Sequence, residues 1–84
     1  MYDVTFTETA LKQLNKLQKD VQARVIAALE RIRLRPFHFV KRVVGERYFR
    51  LRVGVYRVIL DIKKEKMIIM VVYVGHRKSV YKGI

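Results

Sequence analysis

The C-terminal part of the sequence concentrates side chains that can bind anions or exchange protons. The stretch Val72–Tyr81, VYVGHRKSVY, begins as an apolar run and turns polar after Gly75. An imidazole, a guanidinium, an ammonium and a phenol follow, and such groups can donate hydrogen bonds to a phosphate or move a proton. These residues are His76, Arg77, Lys78 and Tyr81. The stretch indicates anion binding or acid-base chemistry at the exit of a strand.

Two earlier segments place further cations on one face of a predicted sheet. Residues 48–53 alternate in the manner of a strand with one buried face. The apolar set of this segment is Phe49, Leu51 and Val53, and the polar set is Tyr48, Arg50 and Arg52. In the next segment Arg57 has the opposite parity to the apolar Tyr56 and Val58. We therefore predict a cationic surface on the sheet face that lies away from the core.

If these strands pair as neighbours, polar residues that are distant in the sequence meet on one concave surface. Guanidinium groups match the geometry of phosphate oxygens, and tyrosine rings offer a platform on which bases stack. The alternative is that the arginines are simply solvated and that Tyr81 is a packing residue near the end of the chain. The residues that converge in the first interpretation are Tyr48, Arg50, Arg52, Arg57, Arg77 and Tyr81.

The N-terminal half predicts a strand and two helices. A short strand at Tyr2–Phe6 is followed by Thr7 and Glu8, which are typical of a helix start. The first helix is expected to bury Leu11, Leu14 and Leu17. A second helix, capped by Asp20, ends before Pro36. Its predicted buried stripe is Val21, Val25, Ala28, Leu29 and Ile32.

The C-terminal half predicts a loop and three strands. Phe37–Glu46 has no clear period and is predicted to be a loop. Three segments rich in β-branched and aromatic residues form an antiparallel meander, namely Tyr48–Val53, Tyr56–Ile62 and Met67–Val74. The order β-α-α-β-β-β predicts an α+β fold, in which a two-helix hairpin packs on a four-stranded, mainly antiparallel sheet.

Length and composition limit the classes of function. The 84 residues, 51% of them hydrophobic, suit one domain spanning residues 1–84. The chain has no Cys, and His38 and His76 alone make a poor zinc site, so we expect no metal or cofactor. Met67–Val74 is much shorter than the roughly 20 residues of a membrane-spanning helix. No signal-peptide pattern is present, and we expect a soluble, cytoplasmic protein.

The charge balance indicates an acidic partner. Lys and Arg number 19 against 7 Asp and Glu, a formal net charge of +12. At least 12 basic groups therefore have no carboxylate of their own. Nucleic acid is favoured, because neutralised phosphates release counterions. An acidic protein would meet the same need, and a solvated basic surface would need no partner.

Three motifs resemble the RelE/ParE superfamily of bacterial and archaeal toxins, and its RelE branch in particular. They are ALKQLNKL in the first helix, YFRLRVGVYRVIL across the hairpin and VGHRKSVY at the end, and the resemblance covers nearly the whole chain. It implies a RelE-like fold and a small ribonuclease that cleaves mRNA, generally in the ribosomal decoding site. It also implies inhibition by a RelB-like antitoxin.

The resemblance implies roles for individual residues. Arg57 in VYRVIL and Arg77 in VGHRK match catalytic arginines of the family, and Tyr81 in SVY matches its catalytic tyrosine. Arg50 stands where relatives carry a functional lysine, and Tyr48 replaces a second lysine. The implied catalytic set is Arg50, Arg57, Arg77 and Tyr81. The residues expected to contact RNA are Tyr48, Arg52, His76 and Lys78.

Cleavage of this kind requires activation of a ribose 2′-hydroxyl, stabilisation of a charged phosphorane and protonation of the leaving 5′-oxygen. Arginines stabilise charge well but are poor bases, because they stay protonated. We hypothesise that Tyr81, in a field of cations that favours its phenolate, assists the 2′-hydroxyl, while Arg57 and Arg77 hold the phosphate. Arg77 could also donate the proton. His76 has the opposite strand parity to Arg77, so we expect an RNA contact or a local structural role rather than a general base.

Two other functions stay open at this point. A ParE-like toxin would share the fold and act on DNA gyrase, and a non-enzymatic RNA or ribosome binder would use the same cations. The combination of Arg57, Arg77 and Tyr81 favours the ribonuclease. In either toxin we expect an acidic antitoxin that places carboxylates near the cationic face.

Overall fold

The computed structural model describes residues 1–76, so Arg77, Lys78 and Tyr81 lie outside the described residues. Within this part no helix is long and apolar enough to cross a membrane. The elements in chain order are β1 (Asp3–Phe6), α1 (Glu8–Asn15), α2 (Lys19–Ile32), a 3-10 turn (Pro36–His38), β2 (Lys41–Arg42), β3 (Phe49–Val53), β4 (Tyr56–Lys63) and β5 (Ile68–His76).

The sheet has the strand order β1-β5-β4-β3-β2 over the described residues. The β1–β5 pair is parallel and the other pairs are antiparallel, which confirms the α+β class and the mainly antiparallel sheet. The strand count was predicted wrongly, because residues 1–76 contain five strands rather than four. The additional strand, β2, has only two residues, both exposed, inside the segment that was predicted to be a loop. Two residues are too few to show a period.

Helix α1 begins as predicted, whereas the predicted cap of α2 is wrong. The Ala10 N–H donates to Thr7 Oγ1 at 3.1 Å, which satisfies one of the free donors of the first turn. Helix α2 begins at Lys19 with Gln18 as its N-cap, and Gln18 makes no side-chain capping bond. Asp20 lies inside the first turn, where a carboxylate still interacts favourably with the helix dipole.

The helices and one face of the sheet enclose a cluster of buried residues. The predicted stripe of α2 is confirmed, with Ala28 partly buried beside the cluster. In α1 the expectation for Leu11 is wrong, since it is 46% exposed while Ala10 and Leu14 are buried. At about 100° per residue, Leu11 is rotated roughly 80° from the midpoint between Ala10 and Leu14. The cluster comprises Tyr2, Ala10, Leu14, Val21, Val25, Leu29, Ile32, Leu51, Val53, Val58, Leu60, Ile62, Ile69, Val71 and Val74.

Polar contacts tie the helices to the sheet edge. The Tyr2 N–H donates to the Arg33 carbonyl at 2.9 Å, and Arg33 Nε donates to the Tyr2 carbonyl at 2.8 Å. The end of α2 thereby holds the start of β1. On α1, Gln13 Oε1 accepts a hydrogen bond from the Val74 N–H at 2.8 Å. This amide lies beyond Val71, the last β5 residue paired with β1, so a side chain takes the place of a neighbouring strand.

A register shift interrupts the β4–β5 ladder. Ile59 pairs with Tyr73, whereas the next residue, Leu60, pairs with Val71, so Val72 is an extra residue on β5. Such a bulge reverses the alternation of side chains on the strand that contains it. The residue numbers of the core-facing positions in β5 therefore change from odd before Val72 to even after it.

Candidate functional site

The sheet face that the helices leave uncovered carries cations from three strands. We call it the outer face. In β3, Leu51 and Val53 are buried toward the helices, which places Arg50 and Arg52 on the outer face. In β4, Arg57 alternates with the buried Val58 and lies on the outer face as well. The strand alternation read from the sequence thus holds in both strands.

Strand pairing brings these cations into two adjacent rows. Lys41 of β2 pairs with Arg50 of β3, and Arg52 of β3 pairs directly with Arg57 of β4. Residues directly opposite in a sheet have Cβ atoms about 4.5–5.5 Å apart, and like charges in such positions repel. A tight turn that begins at Gly54, with φ of 59°, fixes the register of the second row.

A cavity of about 170 Å³ lies among these side chains. We call it the cationic cavity. No carboxylate belongs to its described lining, so all charged groups in that lining are cations and favour an anion. Its lining residues are Phe39, Lys41, Arg50, Arg52 and Arg57.

The Arg57 guanidinium is incompletely satisfied. Its Nη1 atom is buried, and among residues 1–76 it has no hydrogen-bond partner. A buried donor without a partner costs about 1–3 kcal/mol, more when the group is charged. A phosphate oxygen is an acceptor that would satisfy this donor and offset the repulsion between Arg52 and Arg57. The cavity is therefore chemically suited to a phosphate group.

The structure brings three of the predicted site residues together and separates two others from them. Arg50, Arg52 and Arg57 meet in the cationic cavity. Tyr48 precedes β3, and its ring lies 5.4 Å from the Arg47 guanidinium carbon rather than in the cavity lining. His76 pairs with Tyr56, and the two rings meet edge to face at 5.8 Å.

The position of His76 follows from the bulge at Val72. Val74 is buried in the core, and His76, two residues further along β5, shares its side of the sheet. His76 thus lies at the rim of the helix-facing side, while its neighbour Gly75 pairs with Arg57. The remaining predicted site residues, Arg77, Lys78 and Tyr81, lie outside the described residues.

Two residues of the cavity lining were not predicted from the sequence. Phe39 and Lys41 belong to the segment without a clear period, and they flank Val40, which packs against the core. In the sequence these three residues read apolar, apolar and polar, so they show no strand-like alternation that could have distinguished the segment from a loop.

A buried carboxylate was also missed. Asp61 on β4 is only 6% exposed, and its Oδ2 lies 3.4 Å from Arg47 Nη2 and 3.3 Å from Lys63 Nζ. These contacts link β4 to the segment that leads into β3. Within residues 1–76 no cluster of three or more His, Asp or Glu side chains could hold a metal ion.

Comparison with known proteins identifies relatives over almost the whole chain. A sequence profile described as "ParE toxin of type II toxin-antitoxin system, parDE" matches residues 4–81. A comparison with curated protein sequences gives no match. Among solved structures, the RelBE2 toxin-antitoxin complex from Mycobacterium tuberculosis contains a chain with 32% sequence identity and a TM-score of 0.80, covering 90% of this chain and 98% of that one.

Two further structures share the fold. A chain of the intact Escherichia coli RelBE toxin-antitoxin complex is 26% identical, with a TM-score of 0.77 and coverage of 90% of this chain and 96% of that one. A chain of the RelE-RelB complex from Pyrococcus horikoshii OT3 has the same TM-score at 24% identity, covering 90% and 94%. At this lower identity the likeness concerns the fold alone.

The unsatisfied Arg57 guanidinium generates a prediction about anion binding. At ten times its Kd, inorganic phosphate should stabilise the protein by about 1.4 kcal/mol relative to chloride at matched ionic strength. This stabilisation corresponds to an increase in Tm of several degrees. Arg57→Met should remove most of this increase, because it removes the unpaired donor. Arg31→Met, in the exposed last turn of α2, is the matched control and should retain the increase. An equal phosphate response in both variants would contradict a phosphate site at Arg57.

Proposed function

The chain belongs to the RelE/ParE superfamily and is a RelE-like toxin of a type II toxin-antitoxin system, and from this premise we propose that it is an mRNA endoribonuclease that acts on the ribosome and inhibits translation. The observation that carries the proposal is the cationic cavity, in which Arg52 and Arg57 oppose each other and Arg57 Nη1 lacks a partner among residues 1–76. Such a cavity favours an anion that gains negative charge during a reaction.

The proposed reaction is attack by a ribose 2′-oxygen on the adjacent phosphorus. A bond forms between phosphorus and the 2′-oxygen, and the bond to the 5′-oxygen of the next nucleotide breaks. The products are a 2′,3′-cyclic phosphate and a 5′-hydroxyl end. In this reaction Arg57 and Arg50 stabilise the extra charge on the phosphorane oxygens, and Arg52 contributes to the positive field. This role requires no change in the protonation of an arginine.

Proton transfer is assigned to residues that follow β5. We expect Tyr81 to assist removal of the 2′-hydroxyl proton and Arg77 to hold the phosphate, with Arg77 also a candidate donor of the proton to the leaving 5′-oxygen. The pairing of Gly75 with Arg57 supports this assignment, because Gly75 is only two residues before Arg77 in the sequence. Lys78 is proposed to contact the RNA backbone there. Tyr48 and His76, which lie away from the cavity lining, remain proposed RNA contacts at its periphery.

A specific observation also favours a second candidate function. The matching sequence profile is described as a ParE toxin of the parDE system, so inhibition of DNA gyrase is the alternative. A gyrase supercoiling assay alongside an mRNA cleavage assay would separate the two activities. The cluster of Arg50, Arg52 and Arg57 favours the ribonuclease, because it provides an anion site on the sheet surface itself.

The proposed ribonuclease should arrest translation in a cell-free system and cut ribosome-associated mRNA without added metal. EDTA should leave the cleavage in place when the ribosomes are kept intact by polyamines, because the proposed charge stabilisation comes from arginines. The RNA ends should carry 5′-hydroxyl groups, which a kinase can label without prior phosphatase treatment. Products with 5′-phosphate ends would exclude attack by the 2′-oxygen.

Substitutions in the proposed catalytic set should affect cleavage more than binding. Arg57→Ala and Arg77→Ala should each lower single-turnover cleavage by about 10²-fold or more, by loss of transition-state charge stabilisation. Arg77→Lys should restore only part of the rate, because an ammonium lacks the bidentate fork. Tyr81→Phe should retain RNA binding while cleavage falls. The control is Arg31→Ala on α2.

Two outcomes would change the assignment. Wild-type cleavage by either arginine-to-alanine variant would place the phosphate elsewhere. Full activity of Tyr81→Phe would remove Tyr81 from proton transfer. Circular dichroism and Tm of each variant establish whether the fold is retained, which we expect for Arg57→Ala since Arg57 does not belong to the core cluster.

The proposed partner is an acidic, RelB-like antitoxin in the cytoplasm. The similar structures include RelE-RelB complexes, and the net charge of +12 favours an acidic protein. Charge complementarity accelerates association, and apolar contacts slow dissociation. The association rate with such an antitoxin should therefore fall steeply as salt rises, while the dissociation rate changes little. An association rate that is indifferent to salt would contradict electrostatic capture.

A further inference from the structure

Phe39 is an aromatic residue in the wall of the cationic cavity with much of its surface in solvent. It is 46% exposed and lies among cations rather than in the core cluster. Phe37, two residues earlier, is 44% exposed, but its ring packs edge to face on Phe49 at 5.3 Å, and Phe49 contacts the core. The position of Phe37 is explained by packing on Phe49, whereas Phe39 lines the cavity and packs on no residue of the core cluster named above.

The backbone on both sides of Phe39 is anchored. The 3-10 turn at Pro36–His38 ends at Phe39, whose N–H donates to the Pro36 carbonyl at 3.3 Å. Pro36 is buried, and Val40 packs against the core. The His38 ring meets the Phe39 ring edge to face at 5.4 Å, a contact that also restrains the orientation of the Phe39 ring. A large planar group is thus held in place before any ligand arrives.

We propose that Phe39 is a base-stacking platform, which takes an unpaired nucleobase of a single-stranded nucleic acid while Arg50, Arg52 and Arg57 hold a phosphate beside it. Guanidinium groups satisfy the phosphate, and a phenyl ring offers a base an apolar face of similar shape. A carboxylate-bearing peptide would use the cations but would leave the ring without a planar partner. The inference deepens the proposed function and rests on it for RNA as the ligand.

This arrangement places a subsite one nucleotide from the bound phosphate. Stacking is tolerant of sequence because every base has a π face, and its measured contribution corresponds to roughly a fivefold to hundredfold change in affinity per base. Purines should stack more strongly than pyrimidines because they cover more of the ring. Phe39 therefore contributes to the affinity for RNA and to a mild preference at one position, without base-specific hydrogen bonds.

The test uses an oligonucleotide that can be bound but not cut. A fluorescent 2′-O-methyl hexanucleotide is titrated with the full chain, alongside six derivatives in which one nucleotide at a time is abasic. For the wild type, one abasic position should lower affinity by about tenfold. Phe39→Ala should bind the complete hexanucleotide about tenfold more weakly and become insensitive to that abasic position, as expected for two groups that interact.

Three further variants control for packing and folding. Phe37→Ala, equally exposed but outside the cavity lining, should behave as the wild type does. Phe39→Leu keeps apolar bulk without a π face and should lose most of the sensitivity to the abasic position. Phe39→Trp should retain or increase it. If Phe39→Ala fails to fold, the leucine and tryptophan variants still give the comparison.

The outcomes separate this inference from the proposed function. If a Phe39 variant without an aromatic ring keeps the wild-type sensitivity to the abasic position, or if it weakens complete and abasic oligonucleotides equally, the stacking platform is wrong. Cleavage of mRNA by the wild type would still support the ribonuclease. If the wild type cuts no mRNA but its abasic sensitivity disappears in Phe39→Leu, the platform stands and the ribonuclease does not.

Discussion

The direct opposition of Arg52 and Arg57 across β3 and β4 is the constraint on which the rest of the structure depends. Like charges at opposed positions of a sheet destabilise it, and the buried Arg57 Nη1 adds a desolvation cost. The same strands offset these costs on their other face, where Leu51, Val53 and Val58 enter the core. The helices therefore stabilise a hairpin that its outer face alone would not favour, and the stored repulsion favours binding of an anion.

The distribution of acidic groups explains why this repulsion is not relieved within residues 1–76. The buried carboxylate of the outer face, Asp61, contacts Arg47 and Lys63, and does not belong to the cavity lining. Asp61 thereby holds the segment before β3 in place, while Arg57 Nη1 has no hydrogen-bond partner among residues 1–76. An acidic residue in the cavity would stabilise the free protein and weaken its affinity for phosphate. The fold keeps the stabilising carboxylate and the binding cations at different positions of one strand face.

The site residues that could be predicted lie in strands that are long enough to show the alternation of apolar and polar side chains. The cations of β3 and β4 follow a period of two over several residues, so their common face could be assigned from the sequence. Phe39 and Lys41 could not be assigned, because β2 is only two residues long and its pairing with β3 depends on tertiary contacts. The side occupied by His76 depends on the bulge at Val72, a register change that apolar composition does not reveal. In α1, spacing alone did not distinguish Leu11 from the true core positions, because an apolar residue near the edge of the stripe fits the same pattern.

The cavity combines two attractions that depend differently on the medium. Contacts between arginines and phosphates weaken as salt rises, because the release of condensed counterions is less favourable into a more concentrated solution. Stacking on Phe39 buries apolar surface and is far less sensitive to salt. At physiological ionic strength, where screening acts over about 8 Å, charge attracts many anions while only a nucleotide engages both the guanidinium groups and the ring. In the proposed function, the pairing of a cationic row with an adjacent aromatic ring would favour nucleic acid over acidic protein, because electrostatic attraction alone does not distinguish the two.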